Sequence, residues 1–182
     1  MAAASDAEIL TLYRGGQVEA AFRLLVAAHG EKVYNIALFT LNDENLAADA
    51  SQEVFIKVYR NLSRFKGDAS LSTWLYRIAK NVCFDLLKKR HPERLEEDQE
   101  RQLASPAPGP EAETIQDWEH RRLRDAVAAL PEVQRMAVNL YYFQQYSYEE
   151  IAEVMDQPLG TIKSHLHRGK SALAAALPER EK

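Results

Sequence analysis

The apolar residues of this chain fall three and four apart over most of its length, the spacing that gathers one face of a helix, and no stretch alternates as a strand would. An all-α protein is predicted. Ser5 and Glu8 make a capping box ahead of a short helix over residues 6–14, which Gly15 and Gly16 end. From Val18 to about Leu41, the positions Ala21, Phe22, Leu25, Val33, Ile36 and Ala37 support one long helix, or two broken near Gly30. Asn42 and Asp43 then provide a cap for a helix from about Glu44 to Leu62, with Val54, Val58 and Leu62 on one stripe and Phe55 and Tyr59 beside it. Residues 63–72 form a loop with a turn at Gly67-Asp68. The next helix runs to about Lys89 and turns Leu71, Leu75, Ile78, Val82 and Leu86 inward.

After His91 the periodicity collapses. Residues 91–114 carry four prolines and a crowd of acids, a composition that cannot bury a core, and read as a flexible acidic, Pro-rich linker. Beyond it, helices are predicted from about Ile115 to Ala129 and from about Glu132 to Phe143. The fold expected is therefore two small helical domains, residues 1–90 and 115–182, joined by a linker at 91–114.

The clearest local signal lies in residues 147–170. Ser147 and Glu150 form a second capping box, Ile151, Ala152 and Met155 make a narrow apolar stripe, and Pro158 forbids continuation of that helix. A second helix restarts near Gly160-Thr161. Its inward positions are Ile162, Leu166, Gly169 and Leu173, which leaves Lys163, Ser164, His165, His167, Arg168 and Lys170 on the outer face. No acid occurs between Asp156 and Glu179. A helix-turn-helix with a positive, hydrogen-bonding face has the shape and polarity to enter a DNA major groove. An ordinary helical hairpin with a solvated basic face has the same spacing.

On the helix from Ser72 to Lys89, the faces away from the predicted core hold Thr73, Trp74, Tyr76, Arg77, Lys80 and Asn81. Aromatics interleaved with cations suit single-stranded nucleic acid, because bases stack on rings while cations track phosphates. Half-buried packing of Trp74 and Tyr76 is the plainer reading of the same residues.

Charge sharpens this picture only when taken by segment. The net value of −4 argues mildly against a nucleic-acid partner, yet the balance is +2 over residues 1–90, −7 over 91–120 and +1 over 121–182. The acidity sits in the middle and frees both ends to present basic faces. The single Cys83 excludes an intramolecular disulfide and reads as a small packed residue, with redox sensing as the alternative. No cysteine cluster or HExxH pair points to a metal or other cofactor, and no nucleophile-base pair or phosphate-binding loop points to an enzyme. The N-terminus lacks the charge and hydropathy pattern of a signal peptide, and no apolar run approaches membrane-spanning length, so a cytoplasmic protein without membrane insertion is expected.

Three stretches, DASQEVFIKVY at 49–59, RFKGDASLSTWLYRIAKNV at 64–82, and LPEVQRMAV followed by YSYEEIAEVM and PLGTIKSHLHRGK, resemble an extracytoplasmic-function (ECF) sigma factor, the two-domain minimal form of the bacterial sigma factors. The likeness covers about residues 18–90 (region 2) and 118–175 (region 4). It implies a protein that directs core RNA polymerase to promoters and helps melt the DNA, under the control of a cognate anti-sigma factor and in a stress or envelope response. By resemblance, Asp49, Gln52, Glu53 and Phe55 match the face that docks on the β′ coiled coil, with the β flap as a second polymerase contact. Lys66, Gly67, Asp68, Ala69 and Ser70 match the loop that takes a flipped base of the minus-10 element. Trp74, Tyr76, Arg77, Lys80 and Asn81 match the melting helix, which binds single-stranded DNA downstream. Lys163, Ser164, His165, His167, Arg168 and Lys170 match the helix that reads the double-stranded minus-35 element.

Departures from the family pattern are also visible. Ala48-Asp49-Ala50 stands where Glu-Asp-Leu is frequent, Tyr141 where arginine is common, and Gln145 where glycine is usual. If Gln145 is left-handed, it costs on the order of 1 kcal/mol. His165 and His167 replace residues that are often arginine or aromatic, and if they act as cations, upstream binding weakens above neutral pH. The residues alone leave two other readings open: a stand-alone helix-turn-helix regulator, and a helical protein that sequesters partners.

Overall fold

A computed structural model describes residues 5–90, 122–123 and 125–177, and these are helical with short connections. The linker expected at 91–114 and most of the helix expected at 115–129 lie outside the described residues; 122–123 and 125–128 are helical.

The N-terminal half consists of α1 (Asp6–Arg14), α2 (Val18–Leu41), α3 (Glu44–Asn61), a 3-10 turn (Leu62–Arg64) and α4 (Leu71–Arg90). Several boundaries have a local cause. The Ser5 side chain accepts from the Glu8 N–H at the start of α1, and the Asp43 carboxylate accepts from the Leu46 N–H at the start of α3. Asn42 ends α2 in the left-handed conformation, φ 51°, which asparagine tolerates better than most residues. The helix passes Gly30 unbroken. It is the centre of the half: Ala21, Leu25, Val33, Ile36 and Ala37 are buried between α1, α3 and α4.

The C-terminal half contains α5 (Glu132–Val138), a π-helical turn (Asn139–Phe143), α6 (Tyr148–Met155) and α7 (Leu159–Ala176). The single helix expected over 132–143 is thus α-helical only in its first part; the wider turn follows, with the Gln144 N–H donating to the Asn139 carbonyl. Both halves of the Ser147-Glu150 capping box form. Gln145 is left-handed at φ 57°. Ile162, Leu166 and Gly169 of α7 are buried against α5, where a Cβ on Gly169 would lie 2.8 Å from Val138 Cγ2. That approach fixes the spacing of α7 from its support and requires glycine.

The halves do not stand apart. Their buried residues form one continuous core. Arg135 on α5 is 6% exposed and donates to the Thr40 carbonyl at the end of α2 (2.8 Å) and to the Ala128 carbonyl (2.9 Å). Phe39 meets Phe143 at 4.7 Å between ring centroids, Tyr76 meets Tyr146 at 5.6 Å, and α4 packs along α6.

Candidate nucleic-acid interface

Helix α7 turns most of its expected outer residues to the surface. Lys163, Ser164, His167, Arg168 and Lys170 are exposed, and His165 is half-buried. Ser164 Oγ donates to the Gly160 carbonyl at 2.9 Å, which orients the hydroxyl oxygen as an acceptor. Burial, with the Arg168 charge second, lowers the pKa of His165 below the ordinary imidazole value. In the free chain burial thus favours the uncharged imidazole, which counts against the expectation that His165 acts as a cation.

Helix α4 divides the residues that the sequence groups together. Trp74 and Asn81, four and three positions either side of Ile78, line a groove with Asp85 and with Lys57, Asn61 and Arg64 from α3 and the 3-10 turn. The groove encloses about 410 Å³. Trp74 is half-buried with its ring 5.5 Å from that of Phe65, so one aromatic wall is braced by a second. Next to it lies the loop at 65–70, whose Lys66, Gly67, Asp68 and Ser70 are exposed and whose Ala69 is half-buried. Gly67 is left-handed at φ 85°, a value only glycine adopts freely. Lys57 and Asn61 escape the sequence reading because they belong to a helix judged by its apolar stripe, and Arg64 because it stands just ahead of the loop residues assigned to base capture.

Arg77 and Lys80 face elsewhere. Arg77 Nε donates to the Glu153 carbonyl (2.6 Å) and Lys80 Nζ to the Met155 carbonyl (3.4 Å), so both cations cap the C-terminal end of α6. Desolvation at this junction lowers the pKa of Lys80. Tyr76, expected on an outer face, is 1% exposed, and Thr73 is 2% exposed. Helix α4 is sandwiched between α2 and α6, so it has no broad outer side here. Tyr76 stands in the core, a correction to its assignment as a base-stacking residue.

On α3, Asp49 and Gln52 are exposed and Glu53 is half-exposed, paired with Lys57 at 3.0 Å. Ile56, 50% exposed, continues this stripe at the next helical step and was not singled out from the sequence. Phe55 turns away, edge-on to Phe22 at 6.3 Å. The stripe is acidic and polar with one apolar residue at its end, the character of a surface that meets a protein rather than DNA. Among the described residues, no group of three or more His, Cys, Asp or Glu side chains could hold a metal ion, and no helix is long and apolar enough to cross a membrane.

Comparison with known proteins decides what carries these surfaces. Residues 25–93 match the family described as Sigma-70 region 2, and residues 120–173 match Sigma-70, region 4. The chain is 37% identical to the RNA polymerase sigma-H factor of Pseudomonas aeruginosa over 166 residues, which are 86% of each chain. It is 35% identical to the ECF RNA polymerase sigma-E factor of Haemophilus influenzae over 84% of this chain and 85% of that one. It belongs to the ECF sigma factors. It is accordingly an RNA polymerase sigma factor of the sigma-70 family, a transcription-initiation protein and not an enzyme. The sigma fold recurs in the co-crystal structure of the sigma factor RpoE with the anti-sigma factor NepR from Bartonella quintana, at 24% identity, TM-score 0.67, covering 88% of this chain and 98% of that one. CnrH, solved in complex with the cytosolic domain of CnrY, has TM-score 0.65 at 23% identity over 90% of this chain and 91% of CnrH. In this sigma factor the groove and the loop at 65–70 fall in region 2, and α7 falls in region 4.

Proposed function

We propose that this ECF sigma factor captures unpaired minus-10 bases in the groove between α3 and α4. The observation that carries the reading is the juxtaposition there of a braced tryptophan, two amides and two cations: Trp74, Asn61, Asn81, Lys57 and Arg64. A ring replaces lost base stacking, the amides bond a base edge, and the cations hold the backbone on either side. The loop at 65–70 adjoins the groove through the contact of Phe65 with Trp74. Helix α7 docks on minus-35 duplex, where Lys163, Arg168 and Lys170 supply phosphate contacts, and Ser164, His165 and His167 supply hydrogen bonds to base edges. The stripe Asp49, Gln52, Glu53 and Ile56 meets the coiled coil of the polymerase β′ subunit, and region 4 meets the β flap. Region 2 extends over residues 1–90, an acidic linker over 91–114 and region 4 over 115–182.

Control by an anti-sigma factor fits the same reading, since a protein of the same fold was solved with an anti-sigma factor. The closed arrangement supports it too: Arg77 and Lys80 are engaged by region 4 and are not free to reach DNA.

Binding of the full chain to core RNA polymerase tests this. Wild type is expected to bind at well below about 1 μM, Asp49→Arg to lose tenfold or more by placing a like charge against a surface complementary to an acid, and Gln52→Ala to lose less. No binding by wild type at micromolar concentration overturns the reading.

A further inference from the structure

One buried polar chain lies outside every surface described so far. Asp6, in the first turn of α1, directs its two carboxylate oxygens to different elements. Oδ1 lies 3.1 Å from His29 Nε2 on α2, and Oδ2 accepts from the Ser72 N–H on α4 at 3.1 Å, a bond spanning 66 positions. His29 is 7% exposed, and its Nδ1 lies 3.3 Å from the Tyr76 hydroxyl. The His29 bond, ahead of desolvation and the Ser72 bond, holds the Asp6 carboxyl below its ordinary pKa, so it is ionised at neutral pH. Burial keeps the Tyr76 phenol protonated and able to donate to His29 Nδ1, which leaves Nε2–H to donate to Asp6.

The place of these bonds matters. The first N–H groups of a helix have no partner within it. At the start of α4, Ser70 Oγ accepts from the Thr73 N–H at 3.0 Å and so provides the local cap, while the Ser72 N–H is satisfied from α1. A carboxylate there also meets the positive end of the helix. Ser72 is two residues beyond the loop at 65–70 and two before Trp74. Helix α1 itself precedes the matched region 2 span, which begins at residue 25.

We propose that Asp6, held in place by His29, is a positioning residue for promoter opening: it clamps the first turn of α4 and thereby sets the loop at 65–70 and Trp74 in the geometry that receives an unpaired base. The proposal rests on the base-capture reading above. An apolar residue at position 6 leaves the Ser72 N–H and His29 Nε2 without their partner, and the loop gains freedom at its C-terminal anchor.

The test compares the full chain with Asp6→Ala and Asp6→Asn, each for core polymerase binding, rate of promoter opening, and amide hydrogen exchange. Asp6→Ala is expected to bind core polymerase as wild type does, to open promoter about tenfold more slowly, the size of one charge-assisted bond lost, and to exchange faster at residues 66–74 while α3 stays protected. Asp6→Asn is expected to recover most of the rate, because its carbonyl still accepts from Ser72 and its amide meets the other His29 tautomer. Normal opening by Asp6→Ala, or exchange rising evenly through the N-terminal half with core binding lost in parallel, overturns the proposal. Should wild type itself fail to bind polymerase, the functional reading falls, and the exchange pattern still decides whether Asp6 anchors the loop.

Discussion

Single residues already set measurable limits. Gln145 occupies the left-handed region ahead of the helix-turn-helix, so Gln145→Gly is expected to raise unfolding stability by about 1 kcal/mol, read as a higher denaturant midpoint at unchanged slope. Gly169→Ala is expected to cost about 1–3 kcal/mol, because its methyl would press on the short, stiff Val138 side chain. Cys83 is fully buried and its thiol pKa is pushed up to about 12 by desolvation, so a thiol reagent should leave the folded chain unmodified and react once denaturant unfolds it; rapid labelling of native protein would reinstate redox sensing. His165 is titratable with a defined sign. Its folded pKa lies below the unfolded value of about 6.5, so the stability it contributes is present above that pH and is lost as pH falls through the folded pKa. His165→Gln should flatten that part of a stability profile measured between pH 7 and 5.

At the scale of elements, capping residues, turn residues and apolar spacing make most helix boundaries within the described residues legible to within a few positions. The π turn at Asn139–Phe143 was not legible, because it differs from an α-helix by one hydrogen-bond step and no proline or glycine marks it. The site was half legible. On α7 one face packs and the other is free, and periodicity alone sorts them; on α4 three neighbours compete for the surface, so a period of 3.6 separates inside from outside without saying which helix lies opposite. Tyr76 went to the core, Arg77 and Lys80 to α6, and only Trp74 and Asn81 to the groove. Single-strand affinity of the N-terminal half in its open state is therefore expected to fall about tenfold for Trp74→Ala, the worth of one stacked base, and Arg64→Ala should chiefly reduce the salt dependence. Equal effects from both changes on affinity and salt slope would argue that the groove is not the base site.

At the scale of the whole molecule, the halves share a core, and the cations that the sequence assigns to melting are spent on the C-terminal end of α6. On the proposed reading, engaging both promoter elements opens this junction, and Arg135 is its most buried polar tie, reaching from α5 to the end of α2. Arg135→Ala should shift the free chain toward extended forms, seen as a larger radius of gyration by small-angle scattering. An unchanged radius would place the closing energy elsewhere, in the Phe39-Phe143 and Tyr76-Tyr146 contacts. The shared core also bears on how long the protein survives in a cell. An opened molecule exposes rings that the closed one covers, and such surface is what quality-control proteases select, so lifetime should follow occupancy: molecules seated on polymerase or folded shut persist, and those caught between the two are destroyed.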